Sequence, residues 1–350
     1  MITRESFSKG WIQKQRKKYA KADPRLIERQ IYAFELVGLL ATSGKPFVFK
    51  GGTSLLLLLP SAHRLSIDVD IVGDFTLDEI VSFSRGSVFS HVEEDNRGVS
   101  KVPKRHFKFF YRSNIDDRES YILLDILYSE HGYPKLLKLP IRSPIFLVDE
   151  HLSVDVPTIN GILGDKLTAY APNTIGVPFG RSKSMEIIKQ LFDIGELFDA
   201  CDDLSEVSSS YSALQKQESA YRQNVAKFDE VLYDTIETSF LLCQSRLKGS
   251  IENENIQELH QGIKQIQSYL LGTPYRMEEA RLSAAKAAFI ATVIKNKKEK
   301  IDLNDLRYAD SMIHEIGTAA LDGKYFILNK LKATQTETFY YWSLISQTGR

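Results

Sequence analysis

Lys50-Gly51-Gly52-Thr53-Ser54, followed after five leucines and Pro60-Ser61-Ala62-His63 by Arg64-Leu65-Ser66-Ile67-Asp68-Val69-Asp70, is the most informative part of the sequence. Phe47-Val48-Phe49 is a short apolar run that suits a buried strand ending at the glycine pair. Thr53 to Leu59 then reads as a helix, and Ser66 to Val72 as a second strand, because Ile67, Val69 and Ile71 alternate with Asp68 and Asp70. Upstream, Ile27, Ile31, Phe34, Val37 and Leu40 recur at three- and four-residue spacing, which predicts an amphipathic helix over 24–43 with Asp23 before it and Pro24 in its first turn. Downstream, His106 to Arg112 and Tyr121 to Tyr128 read as an antiparallel strand pair around the polar turn Ser113 to Asp117. After Asn160 the period becomes helical and stays so, apart from a breaker-rich loop from Ala171 to Gly180. The expected class is α+β, with a mixed-sheet domain and flanking helices over 1–155 and a helical domain over 156–350.

The same stretch carries the chemistry. Two carboxylates two residues apart on a strand project from one face, so Asp68 and Asp70 together suit a hard divalent cation such as Mg²⁺, which prefers oxygen ligands. A third carboxylate from another strand would complete a two-metal site. Asp125 is the candidate, since it interrupts Ile122-Leu123-Leu124 and Ile126-Leu127, where an ionised group needs a partner or a metal. Gly51-Gly52 lets the backbone approach a ligand closely, the N–H groups opening the following helix can receive phosphate oxygens, and Thr53 or Ser54 would add a hydroxyl donor. In a two-metal reaction one ion activates the attacking hydroxyl and the other steadies the leaving pyrophosphate. A solvated strand edge and an ordinary turn would explain each feature taken singly. Their joint order favours a site.

Composition narrows the partners. The chain has 350 residues, 43% hydrophobic and 26% charged, with 45 Lys and Arg against 45 Asp and Glu, so no global field draws it to nucleic acid or an anionic membrane. Local patches must serve instead. Residues 1–30 hold nine basic side chains (Arg4, Lys9, Lys14, Arg16, Lys17, Lys18, Lys21, Arg25, Arg29) against three acidic ones, Lys101 to Arg112 holds five and no acid, and a third basic run spans 295–300. Two cysteines, Cys201 and Cys243, make neither a disulfide framework nor a four-cysteine zinc site, which suggests a reducing, cytoplasmic setting and packing roles for both. The most apolar run, Leu55 to Leu59, ends at Pro60 and is far short of the roughly 20 residues that span a bilayer. His63 beside Arg64 is a weaker phosphate candidate.

The arrangement resembles the polymerase-β-type nucleotidyltransferase superfamily, and within it the AbiEii/AbiGii toxin family, to which the MenT toxins are also similar. Lys50, Gly51, Gly52, Thr53 and Leu55 match its Lys-Gly-Gly-Thr-x-Leu pattern. Arg64, Ser66, Asp68 and Asp70 match Arg-x-Ser-x-Asp-hydrophobic-Asp, and Asp165, Lys166, Leu167 and Ala169 match a later Asp-Lys-Leu-x-Ala helix. The resemblance covers roughly residues 24–200. It implies a nucleoside triphosphate donor bound around Lys50, Gly51, Gly52, Thr53, Ser54, Arg64 and Ser66, metal ligands at Asp68 and Asp70, and Lys166 as a cation near the phosphates. A long lysine on an apolar helix can otherwise snorkel to water. The family places a basic residue and an aspartate on the next helix. Lys189 and Asp193 match them, Gln190 stands where a further Asp is usual, and the loop from Pro172 to Gly180 is longer than in many relatives. Asp193 could orient or deprotonate an acceptor hydroxyl, or pair with Lys189 one turn before it.

The expectation is an Mg²⁺-dependent nucleotidyltransferase, with Mn²⁺ as a substitute ion, that moves a nucleoside monophosphate from a triphosphate to an acceptor hydroxyl. The resemblance implies a toxin of an AbiE-type phage-defence system, tRNA 3′ ends as acceptor, a cognate antitoxin, and a helical half that closes one wall of the nucleotide cleft. The basic stretches could neutralise RNA phosphates. Nucleotidylylation of a protein is the same-chemistry alternative. A catalytically silent nucleotide-binding interaction module is the alternative of another class, and intact Asp68, Asp70 and Asp125 argue against it, because buried unpaired carboxylates cost several kcal/mol to desolvate.

Overall fold

Asp23 accepts the Arg25 N–H at 2.9 Å and Pro24 opens the first turn, so helix α2 (Pro24–Thr42) starts where its capping residues place it. Before it lies α1 (Lys9–Lys18), capped by Ser8, and after it come β1 (Phe47–Lys50), α3 (Gly51–Leu58), β2 (Val69–Gly73), α4 (Leu77–Ser82), β3 (His91–Glu94), β4 (Lys104–Arg112), β5 (Glu119–Leu127), β6 (Leu136–Pro140) and β7 (Ser153–Pro157). The computed structural model describes residues 1–19, 22–60, 63–95, 102–223 and 226–348; Lys21 and Lys101 of the basic stretches lie outside the described residues.

The chain divides into two units. The first comprises residues 1–131, 135–158 and 268–274, and holds a seven-stranded sheet in the order β3-β4-β5-β2-β1-β7-β6. The β1–β7 and β2–β5 pairs are parallel and the others antiparallel. One face of the sheet is core: Phe49, Val69, Ile71, Phe107, Phe109, Ile122, Leu124 and Ile126 are almost wholly excluded from water. Ile27, Ile31, Phe34, Val37 and Leu40 of α2 are fully buried in the same core, with Phe34 edge-on to Phe49 at 6.1 Å. Tyr32 stacks on Tyr111 of β4 at 3.6 Å. The buried Glu28 takes the Ser113 hydroxyl at 2.5 Å and the Asn114 N–H at 2.6 Å, tying α2 to the β4–β5 turn. That burial raises the Glu28 carboxyl above its ordinary range even though both bonds pull it down.

The second unit comprises residues 132–134, 159–267 and 275–350 and is helical: α5 (Ile159–Ala169), α6 (Ser184–Ala200), α7 (Leu204–Tyr221), α8 (Phe228–Gln244), α9 (Glu254–Ile266), α10 (Met277–Lys295), α11 (Ile313–Thr318) and α12 (Thr336–Thr348). Helix α10 is its centre, packed on α6, α8 and α12 through a surface rich in alanine. The α5–α7 approach depends on Gly164, where a Cβ would come within 2.7 Å of the α7 backbone. The loop after α5 is held by the buried Asp234 of α8, which takes the Asn173 N–H at 2.8 Å, its side-chain amide at 2.7 Å and the Thr174 hydroxyl at 2.9 Å. Among the described residues no helix is long and apolar enough to cross a membrane. Cys201 and Cys243 are buried free thiols, and burial pushes both up to about 12.

Candidate active site

Strand register builds the site in the first unit. Lys50 on β1 stands opposite Asp70 on β2, Asp70 opposite Asp125 on β5, and Asp125 opposite His106 on β4. Residues paired across strands share a face, so Lys50, Asp70, Asp125 and His106 form one transverse row on the side of the sheet away from the Phe49, Ile71 and Ile126 row. Neighbouring strands are about 4.8 Å apart, which puts the two carboxylates side by side. Burial, and after it the charge of Asp125, push the Asp70 carboxyl up to about 6, against the opposing pull of Lys50 and Lys104. His106 Nδ1 lies 2.7 Å from Asp125 Oδ1, so this in-strand aspartate has the partner its apolar neighbours demand.

The glycine pair shapes the approach. Gly51 has φ +78°, in the left-handed region that favours glycine, and a Cβ there would run into the Asp70 carboxylate; at Gly52 it would meet the Arg64 guanidinium. Arg64 is buried and donates from Nη1 to the Leu65 carbonyl at 3.1 Å. The hydroxyl of Thr53 lies 2.9 Å from Ser66 Oγ and 2.5 Å from the Asp68 carbonyl, and that of Ser54 donates to the Gly51 carbonyl at 2.9 Å. Both hydroxyls are therefore engaged inside the protein, that of Thr53 bracing the segment that carries the carboxylates and that of Ser54 the first turn of α3. Strand β2 begins at Val69 rather than at Ser66, as the alternation suggested; Ser66 and Asp68 are bonded to Thr53 of α3 instead. On either side of Arg64 the chain is pinned by backbone bonds, Leu65 N–H to the Tyr269 carbonyl at 2.6 Å and Leu271 N–H to the His63 carbonyl at 2.7 Å.

Two adjacent carboxylates oppose each other's ionisation, and a hard cation between them removes the conflict, so Asp70 and Asp125 fit Mg²⁺. Asp68 lies two residues before Asp70 on the same segment. As the side chains stand, no three His, Cys, Asp or Glu groups among the described residues converge into a metal-holding cluster. The pair is formed and the third carboxylate is adjacent in the chain.

In the second unit, Lys166 of α5 is buried and lies 2.8 Å from Asp193 Oδ2 on α6, while donating to Gln190 Oε1 at 2.9 Å. Asp193 is 1% exposed, so it is an interior partner of Lys166 rather than a surface carboxylate. Gln190, the departure from the family pattern, accepts from the same lysine. Asp165 takes the Tyr133 hydroxyl at 2.5 Å, and Lys189 sits half-buried one turn before Asp193. This unit also has an open cleft of about 760 Å³, lined in part by Ser208, Ser212, Lys227, Phe228, Lys295 and Lys297. No motif residue lines it.

The basic stretches differ in their pairing. Arg105 forms a two-bond pair with Glu94 at 2.8 and 2.9 Å, Lys108 meets Asp95 at 3.1 Å, and Arg112 pairs with Asp117 at 2.5 and 2.6 Å. Lys9, Lys14, Arg16, Lys17 and Lys18 of α1 are exposed on a helix that contains no acid.

His106 was absent from the residues singled out in the sequence, and so was Lys104. The sequence showed the hairpin but not its register: the turn Ser113 to Asp117 alone would set Arg112 opposite Arg118 and His106 opposite Leu124, whereas the ladder pairs Arg112 with Glu119 and His106 with Asp125.

Comparison with known proteins follows the same lines. A family model described as the nucleotidyl transferase AbiEii toxin, type IV toxin–antitoxin system, matches residues 36–265. Among solved structures the chain is similar to JHP933 from Helicobacter pylori, at 16% identity over 80% of this chain and 96% of that one, with a TM-score of 0.42. It is also similar to an antigenic nucleotidyltransferase-like protein from Paracoccidioides brasiliensis, at 15% identity over 59% of this chain and 97% of that one, with a TM-score of 0.36. No curated protein matches the sequence. The family match spans most of the chain, including the glycine turn, all three aspartates and Lys166, and it implies an antitoxin as partner. The chain belongs to the AbiEii nucleotidyltransferase toxin family.

Proposed function

We propose that this toxin transfers a nucleoside monophosphate from a nucleoside triphosphate to a hydroxyl of an RNA acceptor, with tRNA 3′ ends as the preferred acceptor, in an Mg²⁺-dependent reaction that serves phage defence. The observation that carries the reading is the transverse row in which Asp70 and Asp125 stand in register between Lys50 and His106. Asp68, Asp70 and Asp125 would hold the ion. When bound, it supplies Lewis-acid stabilisation of charge on the transferring phosphoryl group. The protein's own residues do the rest. The acceptor oxygen forms a bond to the α-phosphorus, the bond from that phosphorus to the bridging oxygen breaks, pyrophosphate leaves, and the hydroxyl proton passes to solvent. Gly51 and Gly52 make room for the Asp70 carboxylate and the Arg64 guanidinium at the opening of α3, whose first N–H groups have no partner within the helix and attract anions. Arg64, packed on Gly52, fixes that turn. Lys166 would contribute positive charge toward phosphate.

The test is to incubate the protein and Mg²⁺ with each α-³²P-labelled nucleoside triphosphate and either total tRNA or lysate protein. Label on tRNA from one nucleotide is the expected result, falling about 100-fold or more in Asp68→Ala and Asp70→Ala, in line with loss of an electrostatic group from a transition state. Circular dichroism must show both variants folded. Label on protein instead of tRNA replaces the acceptor assignment, and full activity in a folded Asp70→Ala protein overturns the chemistry.

A further inference from the structure

Asp125 is not alone at its position. Its strand neighbour across the β4–β5 ladder is His106, whose Nδ1 lies 2.7 Å from Asp125 Oδ1, a normal length for a charge-assisted bond. A carboxylate can only accept, so Nδ1 carries the proton and donates it. Oδ1 is thereby engaged, and Oδ2 is the oxygen left for a further partner. The residue itself is held in the sheet. Its side chain is only 19% exposed, and its carbonyl accepts the Asp95 N–H at 2.7 Å. On either side of it, Arg105 grips Glu94 and Lys108 grips Asp95, fastening β4 to the β3 end of the sheet.

We propose that His106 is a positioning residue for the metal-binding carboxylates: it fixes Asp125 by one oxygen and leaves the other for a divalent cation shared with Asp70. The proposal rests on the metal reading given above. Ligating carboxylates need such outer partners, because a free carboxyl loses rotational freedom on binding an ion whereas a restrained one has already lost it, and removing such a partner weakens metal affinity about 10- to 100-fold.

The experiment is a titration of metal-free protein with Mn²⁺, alone and with a non-hydrolysable nucleoside triphosphate, followed by electron paramagnetic resonance of free and bound ion. His106→Leu keeps bulk and removes the donor. His106→Asn keeps an N–H near the place of Nδ1, and His106→Ala serves if the leucine variant melts early. The expected result is Mn²⁺ binding about 10- to 100-fold weaker in the leucine or alanine variant, largely restored in the asparagine variant, with thermal melting near that of the parent. Leucine and alanine variants that bind like the parent overturn the role. So does an asparagine variant as weak as leucine, and so does nitrogen coupling to bound Mn²⁺ that disappears in His106→Leu, since that would make His106 a ligand. Asp70→Ala and Asp125→Ala are the reference: if neither lowers Mn²⁺ binding, or the parent binds none, the metal reading itself fails, and if they do lower it while His106→Leu does not, only the positioning role fails.

Discussion

At the scale of single residues, Gly51 and Gly44 separate backbone strain from chemistry. Both have positive φ, +78° and +71°, so alanine at either must adopt a left-handed conformation costing roughly 1–2 kcal/mol. A Cβ at Gly44 meets nothing within 4 Å, whereas one at Gly51 displaces the Asp70 carboxylate. Gly44→Ala and Gly51→Ala should therefore both lower the melting temperature by several degrees. Only Gly51→Ala should also abolish nucleotide transfer, by shifting Asp70 out of register with Asp125. Melting curves measured beside the labelling assay check this, and equal residual activity in the two variants would refute the view that Gly51 exists to make room for Asp70. The glycine pair was legible in the sequence as a turn. What it accommodates was not, because the atoms that fill the space above each glycine, from Asp70 and Arg64, come from residues later in the chain.

At the scale of elements, α5 and α6 are clasped by the buried Lys166–Asp193 pair, with Gln190 as second acceptor. Removing one partner of a buried pair strands a charge, which typically costs about 3–5 kcal/mol, while replacing both by apolar residues is often neutral. Asp193→Ala should thus melt early, and Lys166→Met/Asp193→Leu should recover most of the lost stability. The double variant should still fail in transfer if Lys166 serves phosphate. Full transfer by the stable double variant would assign the pair to structure alone. This pairing shows where sequence reading stops. The spacing of Ile27, Ile31, Phe34, Val37 and Leu40 gave α2 directly, since a helix face needs only local periodicity. The β4–β5 hairpin was equally readable as a strand pair, but its register, which sets His106 opposite Asp125, was not. Lys166, by contrast, takes its partners from a helix beyond a ten-residue breaker-rich loop, and the segment before β2 pairs with residues 269–271; neither contact leaves a local signature.

At the scale of the whole molecule, a formal net charge of zero means that any polyanion must be held by patches, and pairing within the protein decides which patches are available. Lys14 and Lys17 on α1 are exposed, Lys14 lies 5.3 Å from the Trp11 ring centroid, and the helix holds no acid to compete with phosphate. Arg112, though equally exposed, already grips Asp117 through two bonds, so a phosphate would have to displace a carboxylate to gain its charge. Each lysine or arginine that neutralises a phosphate releases a counterion and steepens the dependence of binding on salt by about one unit of log–log slope. If RNA is the acceptor, Lys14→Gln/Lys17→Gln should weaken tRNA binding at low salt and flatten the slope by about two, whereas Arg112→Gln should change neither appreciably. Fluorescence anisotropy of labelled tRNA between low and moderate salt reads both quantities. A slope unaffected by the α1 substitutions would remove this helix from RNA recognition, and a slope near zero in the parent would argue that the acceptor is not a polyanion, turning attention to a protein hydroxyl with the same phosphoryl chemistry.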